Sequence, residues 1–117
     1  MYYGFRYSNA MFLALDGNSP YDNDQAAWLE RTLHRVQSDT TLRHVFVFIH
    51  QPPFAVGAYC GSERVARRLV PILQRYPVRA VFAGHEHAYQ HLERKGVRYF
   101  VTGGGGAPLY PRRKSCN

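Results

Sequence analysis

Five residues constrain the fold of this chain more than any others: Val45-Phe46-Val47-Phe48-Ile49, a continuous apolar run rich in β-branched and aromatic side chains. Such a run, closed by Pro52-Pro53, is expected for a strand buried on both faces of a parallel sheet. Amphipathic helical patterns flank it. Upstream, Ala26, Leu29, Leu33 and Val36 fall at helical spacing behind Asp22 or Asp24 as N-cap. Downstream, Val65, Leu69, Ile72, Leu73 and Tyr76 mark a second helix over residues 62–76, which Pro71 is expected to kink or restart. Residues 78–83 resume as a strand. Residues 2–16 read as two strands turning at Ser8-Asn9, and residues 90–94 and 97–102 as two more turning at Lys95-Gly96. Glycines 103–106 end the sheet. Strand and helix alternate through the middle, so the expected fold class is α/β, a layered sheet with helices. The chain supplies few helices for one side of that sheet, which suggests an incomplete domain.

Composition narrows the functional classes. At 117 residues, 45% hydrophobic and 20% charged, the chain has the make-up of one compact domain. Its apolar runs are too short for a membrane span, which needs about 20 residues. Met1-Tyr2-Tyr3-Gly4 has none of the features of a secretory signal. A net charge of +7 invites a nucleic-acid reading. However, Arg64, Arg67, Arg68 and Arg75 lie on or near one helix and Arg112, Arg113 and Lys114 in a tail, neither interleaved with aromatics. Solvated faces account for most of this charge, and no specific nucleic-acid binding is expected. Cys60 and Cys116 are compatible with a disulfide or with two free thiols.

The chemistry gathers where ligands bind in open α/β sheets, at the carboxyl ends of the strands. His50 directly follows one strand, and His85 and His87 follow the next. Residues two apart in an extended loop project to the same side, so His85 and His87 would reach one metal or two neighbouring metals, with Gly84 allowing close backbone approach. Neutral imidazole is a common ligand of zinc, iron and related ions. Glu86, between them, should point away. A single histidine after a strand is more often a polar cap than a ligand, and that reading holds for His34 and His44. His91 is ambiguous. Three histidines at two strand ends are not demanded by sheet packing, so His50, His85 and His87 are the candidate metal ligands.

Three segments in this order resemble the last blocks of calcineurin-like metallophosphoesterases, especially the purple acid phosphatase-like branch. They are Phe48-Ile49-His50-Gln51-Pro52-Pro53-Phe54, Gly84-His85-Glu86-His87-Ala88-Tyr89 and Val101-Thr102-Gly103-Gly104-Gly105-Gly106-Ala107-Pro108-Leu109-Tyr110. The segments from Tyr3-Gly4-Phe5 to Leu15-Asp16 and around Trp28-Leu29 are similar to what precedes those blocks. The resemblance implies that residues 1–117 form the C-terminal half of a metallophosphoesterase β-sandwich flanked by helices. It also implies a phosphate ester substrate and two divalent or mixed-valence ions of iron, manganese or zinc, with His50 and His85 serving one and His87 the other. The family's earlier blocks, Asp-x-His, Gly-Asp and Gly-Asn-His, do not occur here. Three neutral imidazoles cannot offset two cations as the missing carboxylates would, so the chain is expected to be inactive or weak by itself. Exposed sheet edges would favour self-association, and the parent protein would be exported by analogy with purple acid phosphatases. The alternative is an inert metal-binding piece or a basic interaction module. A cupin-type set of His85, His87 and Glu93 conflicts with the helices, and a metalloprotease lacks its helical His-Glu-x-x-His.

Overall fold

A computed structural model describes residues 1–57, 59–111 and 116. The basic tail at Arg112, Arg113 and Lys114 therefore lies outside the described residues.

Six strands form one sheet: β1 (Tyr3–Tyr7), β2 (Ala10–Leu15), β3 (His44–Ile49), β4 (Ala80–Ala83), β5 (Tyr89–Arg94) and β6 (Val97–Thr102), in the order β1-β2-β3-β4-β6-β5. The four central strands β2, β3, β4 and β6 run parallel, and β1 and β5 close the edges antiparallel. At the β5–β6 turn, Lys95 and Gly96 both take positive φ, at 50° and 78°. Two left-handed residues in succession match the twist of a hairpin, and glycine adopts that conformation without strain.

Helices α1 (Asn23–Ser38) and α2 (Glu63–Gln74) are the two crossovers, and both pack on the same face of the sheet. Asp22 caps α1, its carboxylate accepting from the amides of Asp24 and Gln25. Buried Gln25 ties the entry loop together, its Nε2 donating to the carbonyls of Asp16 and Ser19 while its Oε1 accepts from Asp16 N. Ser62 caps α2. Pro71 lies inside α2, which runs through it without the restart that was one of the two expectations. The missing N–H forfeits one backbone bond, and burial of Val70, Ile72 and Leu73 offsets that loss.

The core forms between the helices and one sheet face. Leu13, Leu15, Val45, Val47, Ile49, Val81, Tyr99 and Val101 meet Leu29, Leu33, Val65 and Leu69. The expectation that β3 is buried on both faces is not met. Val45, Val47 and Ile49 are buried, but Phe46 is only half-buried and Phe48 is exposed on the opposite face. A run of apolar residues signals two apolar faces, and this chain's helices cover only one.

Leu69 is fully buried between α2 and the sheet. Leu69→Ala should lower stability by about 2–5 kcal/mol, read as a fall in the urea midpoint, whereas Arg67→Ala on the solvated side of α2 should change it little.

Candidate functional site at the carboxyl edge

Parallel register delivers the histidines. Ile49 pairs with Ala83 across β3 and β4, so His50 and Gly84 leave the sheet side by side, and Gly84 N donates to His50 O at 3.1 Å. His50 Nε2 then lies 3.4 Å from His85 Nδ1, with the two rings edge to face. Two imidazole nitrogens on one tetrahedral ion at about 2.1 Å would stand about 3.4 Å apart. Both helices begin at this edge, so their positive N-terminal ends face the same solvent as the histidines.

The loop 84–88 is not extended. Glu86 N bonds Gly84 O at 2.7 Å and Ala88 N bonds Glu86 O at 2.8 Å, two tight turns in succession, and His85 sits at φ 65°. A left-handed histidine is uncommon backbone, of the kind concentrated at functional sites. These turns separate the two histidines expected on one side. His85 turns to His50. His87 turns instead to the segment 103–110, where its Nδ1 lies 3.0 Å from Pro108 O and Tyr110 stacks on its ring at 4.3 Å. A carbonyl only accepts, so His87 Nδ1 is the donor here, and Nε2 is the nitrogen left for a metal in the neutral ring. Glu86 was expected to point away from the histidines. It is buried and accepts from Tyr59 N.

Close backbone approach is required at Gly103 rather than at Gly84. A Cβ on Gly84 would meet His50 Nδ1 at an ordinary 3.7 Å, whereas one on Gly103 would fall 1.9 Å from Glu86 O. Gly103 N and Tyr110 N bond the carbonyls of Ala88 and His87, so the glycine run folds back over the histidine loop. A disulfide between Cys60 and Cys116 pins the other side of the site. Tyr59, beside Cys60, lies 5.0 Å from the His85 ring and 6.2 Å from Tyr110. The Tyr59 hydroxyl bonded to Tyr110 pushes that phenol's pKa up.

The candidate ligands were legible in the sequence, but the tyrosines and the disulfide that surround them were not. Their partners lie far apart in the chain and no local pattern joins them. His34 is exposed on α1. His44 and His91 stack on Phe46 and Phe100, away from this edge. Among the described residues no three His, Cys, Asp or Glu side chains converge as a metal-binding group. His50 and His85 fit two positions on one ion.

The sheet is half covered and carries imidazoles at its carboxyl edge. The calcineurin-like phosphoesterase family matches residues 3–89, and the chain belongs to that family. Within it, the chain resembles the purple acid phosphatases. It is 33% identical over 82 residues to tartrate-resistant acid phosphatase type 5 of Oryctolagus cuniculus, covering 69% of this chain and 24% of that protein. It is 32% identical over 119 residues to purple acid phosphatase 13 of Arabidopsis thaliana, covering 92% and 22%. The chain thus spans about a quarter of the length of these curated relatives. Two solved structures share the fold. GAP50, the anchor in the inner membrane complex of Plasmodium, matches with a TM-score of 0.71 at 21% identity over 97% of this chain and 40% of its own. A dimetal phosphatase from Danio rerio matches with a TM-score of 0.65 at 17% identity over 86% and 48%.

Gly103→Ala should force the backbone of residues 84–88 away from the segment 103–110. The expected result is a shifted His87 ring resonance and loss of Tyr110 stacking in NMR spectra, with α1 and α2 unchanged. Gly105→Ala, whose Cβ would meet nothing within 4 Å, is the control.

Proposed function

We propose that this chain carries the histidine-bearing part of a two-metal phosphate-ester hydrolase centre, and that residues 1–117 form part of a larger metallophosphoesterase domain. The observation that carries the reading is the His50–His85 pair, 3.4 Å apart at the ends of adjacent parallel strands. In this reading His50 and His85 hold one ion of the iron, manganese or zinc type through Nε2 and Nδ1, and His87 offers Nε2 to a second. Two such ions, when bound, would neutralise the charge of the ester and polarise its phosphorus–oxygen bonds. The chain's own residues orient the imidazoles: Pro108 O holds the His87 tautomer, the β3–β4 register sets the His50–His85 spacing, and Tyr59 and Tyr110 bound the site with apolar ring surface.

Specific recognition of nucleic acid is not part of this reading. Arg67 and Arg75 pair with Glu63 and Glu30, and Arg68 bonds Asn23, so these helical arginines are already engaged. No helix among the described residues is long and apolar enough to cross a membrane. The Cys60–Cys116 bond fits an oxidising compartment and supports export of the protein.

A second reading follows from the lack of three converging ligands among the described residues: alone, the chain holds metal weakly and does not turn over substrate. Equilibrium dialysis against zinc, manganese and iron(II), beside a chromogenic phosphate ester, tests both. The proposal expects metal bound by the wild-type chain and an affinity loss in His50→Ala exceeding the roughly 10- to 100-fold seen when a supporting partner is removed. His87→Ala should leave the His50–His85 ion in place. Metal uptake that ignores all three histidines would sink it. Metal binding without turnover would support the second reading.

A further inference from the structure

Among the described residues Glu86 is the only charged side chain that is fully buried, at 1% exposure. Taking a carboxylate out of water is unfavourable unless N–H donors replace the lost solvent. Glu86 stands between two candidate metal ligands, yet the proposed chemistry gives it no part. The two tight turns of residues 84–88 set its direction. They leave His85 and His87 partly open to solvent and send the side chain between them inward.

What Glu86 meets there is the loop that leads from β3 to α2. Residues 51–57 and 59–62 of that loop form neither helix nor strand, so no ladder of backbone bonds holds its tip. Side chains from elsewhere in the chain hold it instead. Gln90 Oε1 accepts from Val56 N at 2.7 Å, Cys116 Sγ accepts from Gly57 N at 3.3 Å, and Glu86 Oε1 accepts from Tyr59 N. Gly57 lets the loop close on the carboxylate, since a Cβ there would stand 3.0 Å from Glu86 Oε2.

Tyr59 is the residue through which this tie reaches the histidines. Its ring lies 5.0 Å from that of His85, and its hydroxyl is bonded to Tyr110, whose ring stacks on His87 at 4.3 Å. One carboxylate, adjacent in the chain to both histidines, thus reaches across space to the ring pair that packs on both. The disulfide restrains the neighbouring Cys60, but the soft backbone dihedrals between the two residues leave the Tyr59 peptide free to turn. The bond from its amide to Glu86 removes that freedom.

We propose that Glu86 is a positioning residue of the histidine edge. By accepting from the Tyr59 amide it holds Tyr59, and through it Tyr110, against the rings of His85 and His87, and so fixes the directions in which the imidazoles present their lone pairs. The consequence for metal binding rests on the reading of those histidines as ligands, whereas the hold on the loop does not.

NMR of the full chain, with the disulfide intact and no metal added, tests the hold. The wild-type Tyr59 amide should be protected from hydrogen exchange, and its ring should show Overhauser contacts to the His85 ring. Glu86→Leu fills the same space without an acceptor. It should abolish the ring contact and speed exchange of the Tyr59 amide by roughly 10- to 100-fold, the range for losing a hydrogen bond to a charged group, with the amides of α1 and α2 unchanged. Glu86→Gln keeps one acceptor oxygen and should restore the contact. In equilibrium dialysis, zinc affinity should fall about 10-fold in Glu86→Leu and recover in Glu86→Gln, a rescue that depends on the acceptor and not on the filled volume. A wild-type Tyr59 amide that exchanges at the rate of an open loop overturns the proposal, even where Glu86→Leu does not fold. Retention of the Tyr59–His85 contact in folded Glu86→Leu overturns it as well. Loss of that contact when the disulfide is reduced and Glu86 is intact assigns the positioning to Cys60 and Cys116 instead. A wild-type chain that takes up no zinc sinks the metal reading alone, and the amide and ring contacts then decide the role of Glu86.

Discussion

Parallel hydrogen bonding between β3 and β4 aligns Ile49 with Ala83, and the chemistry of the carboxyl edge depends on that alignment. A slip of one residue would turn the core side chains of a strand outward, so the burial that holds the register also holds His50 beside His85. Val45, Val47 and Ile49 alternate into the helices on one strand, and Val81 and Ala83 on the next. The positions that leave the sheet after them are consequently not free to vary. The geometry of a surface site is inherited from the packing of residues that never touch it.

The same alternation gives the sheet two faces of unequal fate. Aliphatic β-branched residues dominate the side under α1 and α2, and aromatic residues dominate the other. A helix presents a ridged surface that branched aliphatics fill well, whereas large flat rings suit contact with a second sheet. The distribution of residue types thus distinguishes which layer each face is built to meet. His50 stands where the open face and the carboxyl edge join, beside a cleft of about 450 Å³ shared by Phe48, Phe82, Gly84 and Thr102. A layer placed over the face would also form one wall of that cleft.

Much of this was legible in the sequence. Spacing at Ala26, Leu29, Leu33 and Val36 located α1, and Asp22 or Asp24 was its expected start, Asp22 being the one that caps it, because helical period and capping are local properties. The turns at Ser8-Asn9 and Lys95-Gly96 were read for the same reason. The order of His50 and the His85-x-His87 pair on successive strands placed the candidate site. What escaped was non-local or conformational. The apolar run of β3 could not reveal that one of its faces lacks a cover, since both faces contribute equally to hydropathy. The extended path assumed for residues 84–88 gave way to two tight turns, because His85 takes a left-handed conformation that residue type does not announce. Gly103 acts through the carbonyl of Glu86, a neighbour only in space.

The disulfide between Cys60 and Cys116 joins residues 56 apart and encloses α2, β4, β5 and β6 in one covalent ring. That ring contains the exposed turn at Lys95-Gly96, next to exposed Arg94, so basic residues open to a trypsin-like protease lie inside the loop. A single cut there opens the ring without releasing a piece. The nicked molecule would keep its mass until it is reduced, and β5 and β6, on either side of the cut, would stay paired. For a chain encountering proteases in an oxidising medium, backbone scission and loss of the histidine edge are thereby separate events.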